Sequence, residues 1–447
     1  MIEPDGNYAF ISAVFGHFEH LPDSVDGGWT NENVIAVLDL ETGKHANSFS
    51  LDGPLAVGAA NPWGLDISED GRFLAVAGSG TDEVHLLNLP KVINILDTYP
   101  LKKNRPPGKI AVSNQAMQES QIPVKIRIPA GAKGIRRVAV HGNRIYFNSY
   151  FEDMIGCIDA EIREPVVFVQ NYNPYVNNYP DLNDVPYQEG RLIFHPLSSY
   201  EPFQGMTLHR SAARLGPKPV WTNIRRGEML FHDAMICRLQ WQSCFSCHPD
   251  GRADSLNWDL LNDGQNNAKN TKSLLLAHET PPCMASGVRK DAETAVRSGI
   301  INILFNEISD GDYCALDEYL KSLEPVPSPF LVDGKLTESA LRGKRLFEGS
   351  KAGCAQCHPA PYFTDFEKHD VGTTVYQAET FTIRDYFNAY DTPALVEVWR
   401  TAPYLHDGRY LTVKELIVRG NHFAPDNRLK KLTEQETDDL VEYVLSL

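Results

Sequence analysis

Cys244-Phe245-Ser246-Cys247-His248 and Cys354-Ala355-Gln356-Cys357-His358 share one spacing, two cysteines three apart with a histidine directly after the second. At that spacing two thiols add to the two vinyl groups of a haem, and the next imidazole lies under the iron as its proximal ligand. With 8 Cys and 14 His in 447 residues, chance supplies about 0.004 such patterns, and two of them at roughly the square of that. A four-cysteine zinc site is the competing chemistry, but its pairs usually lie ~15–20 residues apart, whereas these lie more than 100 apart. The sequence therefore predicts two covalently attached c-type haems, one on Cys244, Cys247 and His248, the other on Cys354, Cys357 and His358.

Covalent attachment of this kind takes place outside the bacterial cytoplasm, which predicts a periplasmic or cell-surface protein. Met1–Phe10 has neither a basic nor an apolar leader region, so a leader is expected to be absent from the recorded chain. Cys157, Cys237, Cys283 and Cys314 are then either buried thiols packing as small hydrophobes or disulfide partners, with Cys283–Cys314 the pairing expected. A net charge of −16 with 22% charged and 42% hydrophobic residues describes a soluble globular chain. Nothing concentrates Lys and Arg as a nucleic-acid surface requires. No apolar run is long enough to span a bilayer. Nucleophile elbow, phosphate loop and His-Glu zinc motif are all missing. His17 and His20 could bind a metal, but a solvated loop is the simpler reading.

The elements that must position the haems repeat as well. Arg226-Gly227-Glu228-Met229-Leu230-Phe231 precedes the first motif and Arg342-Gly343-Lys344-Arg345-Leu346-Phe347 the second, each a short amphipathic helix start. Leu316–Leu323 resembles Asp439–Leu447, and the Pro-rich run Glu324–Pro329 reads as a linker. Two mainly α-helical cytochrome c-type haem domains follow, at 221–329 and 330–447. The N-terminal part reads as all-β. Turn-then-strand signals occur at Asp5–Ile11, Asp70–Val76 and Gly142–Phe147, each followed by a second strand, Val34–Leu40, Glu83–Leu89 and Met154–Asp159. Such hairpins predict β-propeller-like blades over 1–175, with 176–220 as connection. Three or four blades fit there, against the ~4–8 of a closed propeller, so the expectation is an incomplete propeller, or a recorded chain that starts part-way through a longer one.

The two motifs, together with Thr401-Ala402-Pro403-Tyr404-Leu405-His406-Asp407-Gly408, resemble the bacterial di-haem cytochrome c peroxidase and MauG superfamily over roughly residues 220–447. The blades match, more loosely, members fused behind a propeller. The resemblance implies that the His358 haem accepts electrons and holds a sixth side-chain ligand. The family's position for it falls on Gly420, which cannot ligate, so His422 is the substitute, to be weighed against a surface-loop histidine. It implies peroxide chemistry at the His248 haem, where the family's distal histidine falls in Asp263-Gly264-Gln265 and is missing. His278 is the remaining distal candidate, or else a structural histidine, and Glu307 falls near the family's proton-moving glutamate, or else on a solvated face. The distal Gln aligns with Val296 and the inter-haem Trp with Ser286. Trp258 or Trp399 could relay electrons instead, although most buried Trp are core. A calcium ion is implied between the haems on Asn270, Thr401 and Pro403, against a reading of these as turn and helix-stop residues. His406 is implied to sit beside the haems without ligating iron.

Three functions are implied. The first is reduction of hydrogen peroxide with electrons from a small cytochrome c or cupredoxin. The second is MauG-like oxidation of side chains on a partner protein substrate, and the third a non-enzymatic di-haem electron carrier.

Overall fold

Hairpins dominate the first half because Gly, Asn and Asp stand where the chain must turn with positive φ. A computed structural model describes residues 1–18, 30–53, 57–98, 125–167, 195–260, 268–370, 375–377, 382–384, 389–420, 422 and 428–447, with backbone alone for 161–167, 195–206, 375–377, 382–384 and 428. Two units emerge, one of Met1–Gly16, Asn31–Arg225 and Met229–Ser246, the other of His17–Thr30, Arg226–Glu228 and Cys247–Leu447. Among the described residues, no helix is long and apolar enough to cross a membrane.

The first unit carries three antiparallel sheets. Strands β1 (Tyr8–Gly16), β2 (Asn31–Asp39) and β3 (Lys44–Ser50) form the first, and β4 (Pro62–Ile67), β5 (Phe73–Gly78), β6 (Glu83–Asn88) and β7 (Lys125–Pro129) the second. The third comprises β8 (Ile135–His141), β9 (Arg144–Ser149), β10 (Met154–Val167) and β11 (His195–Arg214) in sequential order. Gly6, Gly71 and Gly142 hold the expected turns with φ of 77°, 66° and 58°. In β9 buried residues alternate with less buried ones, as a strand covered on one face requires, while β5 and β6 are buried almost throughout. Their side chains make two cores, one around Phe10, Ile35, Phe49 and Leu74, the other around Ala77, Ile128, Phe147 and Leu208. Each expected strand is present. The sheet region also runs past residue 175, because β11 occupies much of the segment read as connection and pairs along β10 from Met154↔Arg214 to Ile162↔Met206.

The second unit is helical, and its two halves repeat. Helices α3 (Ala292–Asn302) and α4 (Asp310–Lys321) belong to the first half; α1 (Leu89–Thr98) lies in the β unit, as does most of α2 (Asn223–His232), of which Arg226–Glu228 belong to the second unit. The second half carries α5 (Glu338–Glu348), α6 (Val413–Arg419) and α7 (Glu434–Leu445). Ser309 caps α4, and Thr433 caps α7 through a reciprocal box with Glu436. A Cβ on Gly227 would lie 1.9 Å from the Ala315 carbonyl oxygen of α4, and one on Gly343 1.9 Å from the Asp439 carbonyl oxygen of α7. Only glycine permits either crossing. The Pro-rich linker is held by polar contacts: Arg252 donates to the Glu324 carbonyl, the Val326 amide to the Glu397 carboxylate, and Ser328 to the Leu445 carbonyl.

Candidate functional site

Both cysteine motifs lie on single helical turns, Cys244–Cys247 and Cys354–Gln356. The first turn is pinned within the β unit. Asn61, just before β4, donates to Ser243 Oγ at 2.8 Å and accepts from Ser246 Oγ at 2.9 Å, and Phe245 stacks on Trp63 at 5.3 Å. Ahead of the second turn, Gly353 adopts φ 71°, and the His358 amide closes onto the Cys354 carbonyl at 2.9 Å. Burial pushes the Cys244 thiol up to about 12 and raises that of Cys357.

The two proximal imidazoles are held in the same way. His248 Nδ1 lies 3.0 Å from the Arg252 carbonyl oxygen, and His358 Nδ1 lies 2.8 Å from that of Phe363. A ring that donates from Nδ1 presents the Nε2 lone pair, the form iron requires. Burial lowers both pKa values, which favours the neutral ligand, and carbonyls of Lys272 on His248 and Pro393 on His358 offset it in part.

His422 lies near His358. Burial, and then the charge of His358, push its pKa down to about 4, and its Nδ1 is buried with no hydrogen-bond partner. A buried imidazole within electrostatic reach of His358, with a polar atom left over, has the chemistry of a sixth ligand. Gly420, two residues earlier, ends α6 where a Cβ would meet the Leu416 carbonyl oxygen at 2.3 Å. The remaining candidates separate. His278 is buried, its Nε2 3.1 Å from Asp317 Oδ1 on α4, while Glu307 is exposed between α3 and α4. Asp263, Gly264, Gln265 and His20 lie outside the described residues. Trp258 donates to Asp254, and Arg400 lies over Trp399. Ser286 is fully buried, and Val296 lies within α3. The Cys283–Cys314 pairing is corrected: both are free thiols, Cys283 buried and directed at the Ala277 carbonyl, Cys314 exposed beside Glu318.

The Asn270 side chain meets the Pro403 carbonyl at 2.5 Å, leaving its own Oδ1 buried without a partner. Amide O and N exchange by a flip, which would direct two oxygens at one point, the donor chemistry a calcium ion takes. Thr401 lies two residues earlier on the same turn, its hydroxyl on the Val398 carbonyl. Cys357, Asp365 and His369 also bring ligand atoms within 4.8 Å of one another, but the thiol belongs to the haem motif, and Asp365 already takes His369 Nε2 at 2.7 Å.

Sequence reasoning missed how far the repeat extends. Shifted by 121 residues, Asn270-Thr271 falls on Asp391-Thr392, Pro282 on Pro403, Gly287 on Gly408 and Gly299 on Gly420. The backbone follows: left-handed Leu276 and Met284 match left-handed Glu397 and Leu405, and the strand Lys269–Asn270 matches Tyr390–Asp391, each paired with an earlier strand, Asn257–Trp258 and Lys368–His369, that corresponds at a shift of 111. The missed pair that holds this arrangement is Arg252–Glu397, an ion pair of 2.7 Å with both side chains buried. Laying the sequence on itself at that shift would have exposed the repeat.

No family model matches the chain. It is 29% identical over 306 residues to hydrazine synthase subunit gamma of Kuenenia stuttgartiensis, covering 57% of this chain and 85% of that protein. Over 272 residues it is 25% identical to the methylamine utilization protein MauG of Methylophilus methylotrophus, covering 49% and 81%. Over 155 residues it is 31% identical to the cytochrome-c peroxidase IdrP1 of Denitromonas iodatirespirans, covering 25% and 41%. With two matched C-x-x-C-H cradles, the chain is similar to these di-haem enzymes, the cytochrome-c peroxidases and MauG proteins among them, and is an oxidoreductase related to them.

Proposed function

We propose that the protein reduces hydrogen peroxide to water, H2O2 with two electrons and two protons giving two waters, using a small cytochrome c or cupredoxin as donor. The observation that carries this reading is the asymmetry of the two cradles: buried His422 lies within electrostatic reach of His358, whereas at His248 burial lowers the pKa and the groups that oppose it are Arg252, Asp254 and Lys272. When bound, the haems supply an electron-accepting centre on His358 and a peroxide-reacting centre on His248. The chain's residues do the rest. The cysteines of each motif fix the position of the group covalently, which implies assembly outside the cytoplasm. Arg252 and Phe363 hold the imidazoles. Asp317 accepts from His278 Nε2–H, which leaves the Nδ1 lone pair free to take up and return a proton. Exposed Glu307 suits proton entry from solvent. Asn270, Thr401 and Pro403 would hold calcium, and the three sheets serve as propeller-like blades over 1–175 ahead of haem domains at 221–329 and 330–447.

A second reading, MauG-like oxidation of a partner protein, is favoured by one observation, a histidine and not a methionine at the sixth position. EPR and optical spectra of the oxidised holoprotein, before and after one equivalent of peroxide, test both. A high-spin ferric signal that disappears with peroxide, followed by decay on adding reduced cytochrome, supports the peroxidase. A product that persists with the cytochrome and decays with a protein substrate supports the second reading. Two low-spin haems unchanged by peroxide, oxidised or half-reduced, would leave only an electron carrier.

A further inference from the structure

The two repeats of the second unit do more than resemble each other; they exchange the same hydrogen bond. The Asn270 amide donates to the His406 carbonyl at 2.7 Å, and the Asp391 amide donates to the Ala285 carbonyl at 3.0 Å. Under the 121-residue shift Asn270 corresponds to Asp391 and Ala285 to His406, so each repeat donates the same bond to the other. Around that exchange the side chains are not symmetric. Tyr390 stacks on His406 with ring centroids 3.8 Å apart and planes 10° from parallel, while their counterparts are Lys269 and Ala285. Lys269 Nζ lies 5.7 Å from the Tyr390 ring centroid, and Lys272 pairs with Asp391. Tyr390 is 7% exposed.

The stack also lies between the chain segments that flank the proximal histidines. Pro393, whose backbone acts on the His358 ring, is three residues from Tyr390. On the other side His406 is bonded through its carbonyl to Asn270, two residues from Lys272, whose backbone acts on the His248 ring. The central links are a hydrogen bond and a ring contact. Trp258 and Trp399 offer no comparable ring-to-ring contact among the described residues.

We propose that the Tyr390–His406 stack is the electronic bridge between the two haem sites. The step is a single electron leaving a ferrous iron on the His358 side and arriving at a ferric iron on the His248 side. Neither ring is oxidised and no proton moves. The proposal rests on both motifs carrying haem, and not on what the His248 haem reacts with.

The test uses holoprotein without peroxide. Pulse radiolysis places one electron on the fully oxidised protein, and its redistribution between the haems is followed optically, with both midpoint potentials measured separately. Tyr390→Phe should keep the wild-type rate. Tyr390→Leu should slow redistribution roughly tenfold, a barrier increase of about 1.4 kcal/mol, with both potentials unchanged. Tyr390→Met, which better fills the space, should slow it similarly and serves where the leucine variant fails to load haem. Wild-type redistribution in either aliphatic variant, at unchanged potentials, overturns the bridge. Failure of the peroxide reaction alone leaves this measurement intact, so the two readings stand or fall separately.

Discussion

Glu397 is the residue whose loss should be felt furthest. Its carboxylate accepts Arg252 Nη2 at 2.7 Å and Nε at 3.0 Å, and also the Val326 amide at 2.6 Å, with side-chain exposures of 1% for Glu397 and 8% for Arg252. Arg252 in turn donates to the Asp250 and Glu324 carbonyls, and its own carbonyl holds His248 Nδ1. Glu397→Leu therefore strands a buried guanidinium and loosens the loop that orients a proximal ligand. Removing one partner of a buried pair costs about 3–5 kcal/mol. Arg252→Met combined with Glu397→Leu should cost less than Glu397→Leu alone, because no uncompensated charge remains. Denaturant unfolding of the holoproteins measures the cost, and the EPR signal of the His248 haem should broaden or shift in the single variant.

The pH dependence follows from the same contacts. Burial opposes ionisation of Glu397, but the Arg252 hydrogen bonds, the Val326 amide and the Arg252 charge outweigh it, and its pKa lies below the usual carboxylate value. A depressed pKa adds stability above the unfolded value of about 4.3, and that stability is lost as pH falls through the folded value. Wild type should therefore lose this contribution on acidification, while Glu397→Leu lacks it at every pH and shows a flatter profile. A single variant costing less than about 1 kcal/mol, the range of an exposed pair, would refute the reasoning. So would a double variant no better than the single one.

Other expectations are as direct. His422→Ala should replace the low-spin EPR signal of the His358 haem with a high-spin one, and His422→Met should raise its potential in a redox titration; an unchanged spectrum removes His422 as ligand. Gly343→Ala forces a Cβ to 1.9 Å from the Asp439 carbonyl oxygen and should destabilise by about 1–3 kcal/mol or more. Gly299→Ala, in a helix with nothing within 4 Å, should instead gain up to about 1 kcal/mol, both read from thermal melts. Asn270→Ala should lower bound calcium measured by elemental analysis, and a chelator should have less effect on its haem spectra than on those of wild type.

The two C-x-x-C-H motifs stand out in the sequence because the chemistry they are read for fixes their spacing whatever surrounds them. The hairpins were legible through Gly6, Gly71 and Gly142, whose positive φ values few other residues adopt. Strand β11 was not, because His195–Arg214 mixes Pro, Ser, Gly and charged residues without alternation and takes its register from β10. The long repeat escaped because its left-handed positions are occupied by Leu276, Met284, Glu397 and Leu405, residues that give no turn signal. The Arg252–Glu397 and Tyr390–His406 contacts escaped because their partners lie on different segments, and periodicity reads only one segment at a time.

A symmetric pair of haem cradles has no reason to move electrons in one direction; the direction has to come from positions where the repeats differ. The frame is kept alike where packing demands it: the glycine crossings at Gly227 and Gly343, the Nδ1-to-carbonyl bonds of His248 and His358, the reciprocal amide bonds of Asn270 and Asp391. The differences fall on groups that set potential or coupling. His422, proposed above as the sixth ligand, lies within electrostatic reach of His358 alone, and a histidine ligand in place of methionine would lower that iron's potential. Tyr390 and His406 stand where the other repeat has Lys269 and Ala285, so the stacked ring pair occurs once and not twice. Burial raises the Asp391 carboxyl to about 6 despite Lys272 beside it, whereas its counterpart Asn270 is neutral and available to a cation. Under the proposed function, duplication of one cradle supplies the geometry, and the differences at Tyr390, His406 and His422 would supply the direction of electron flow.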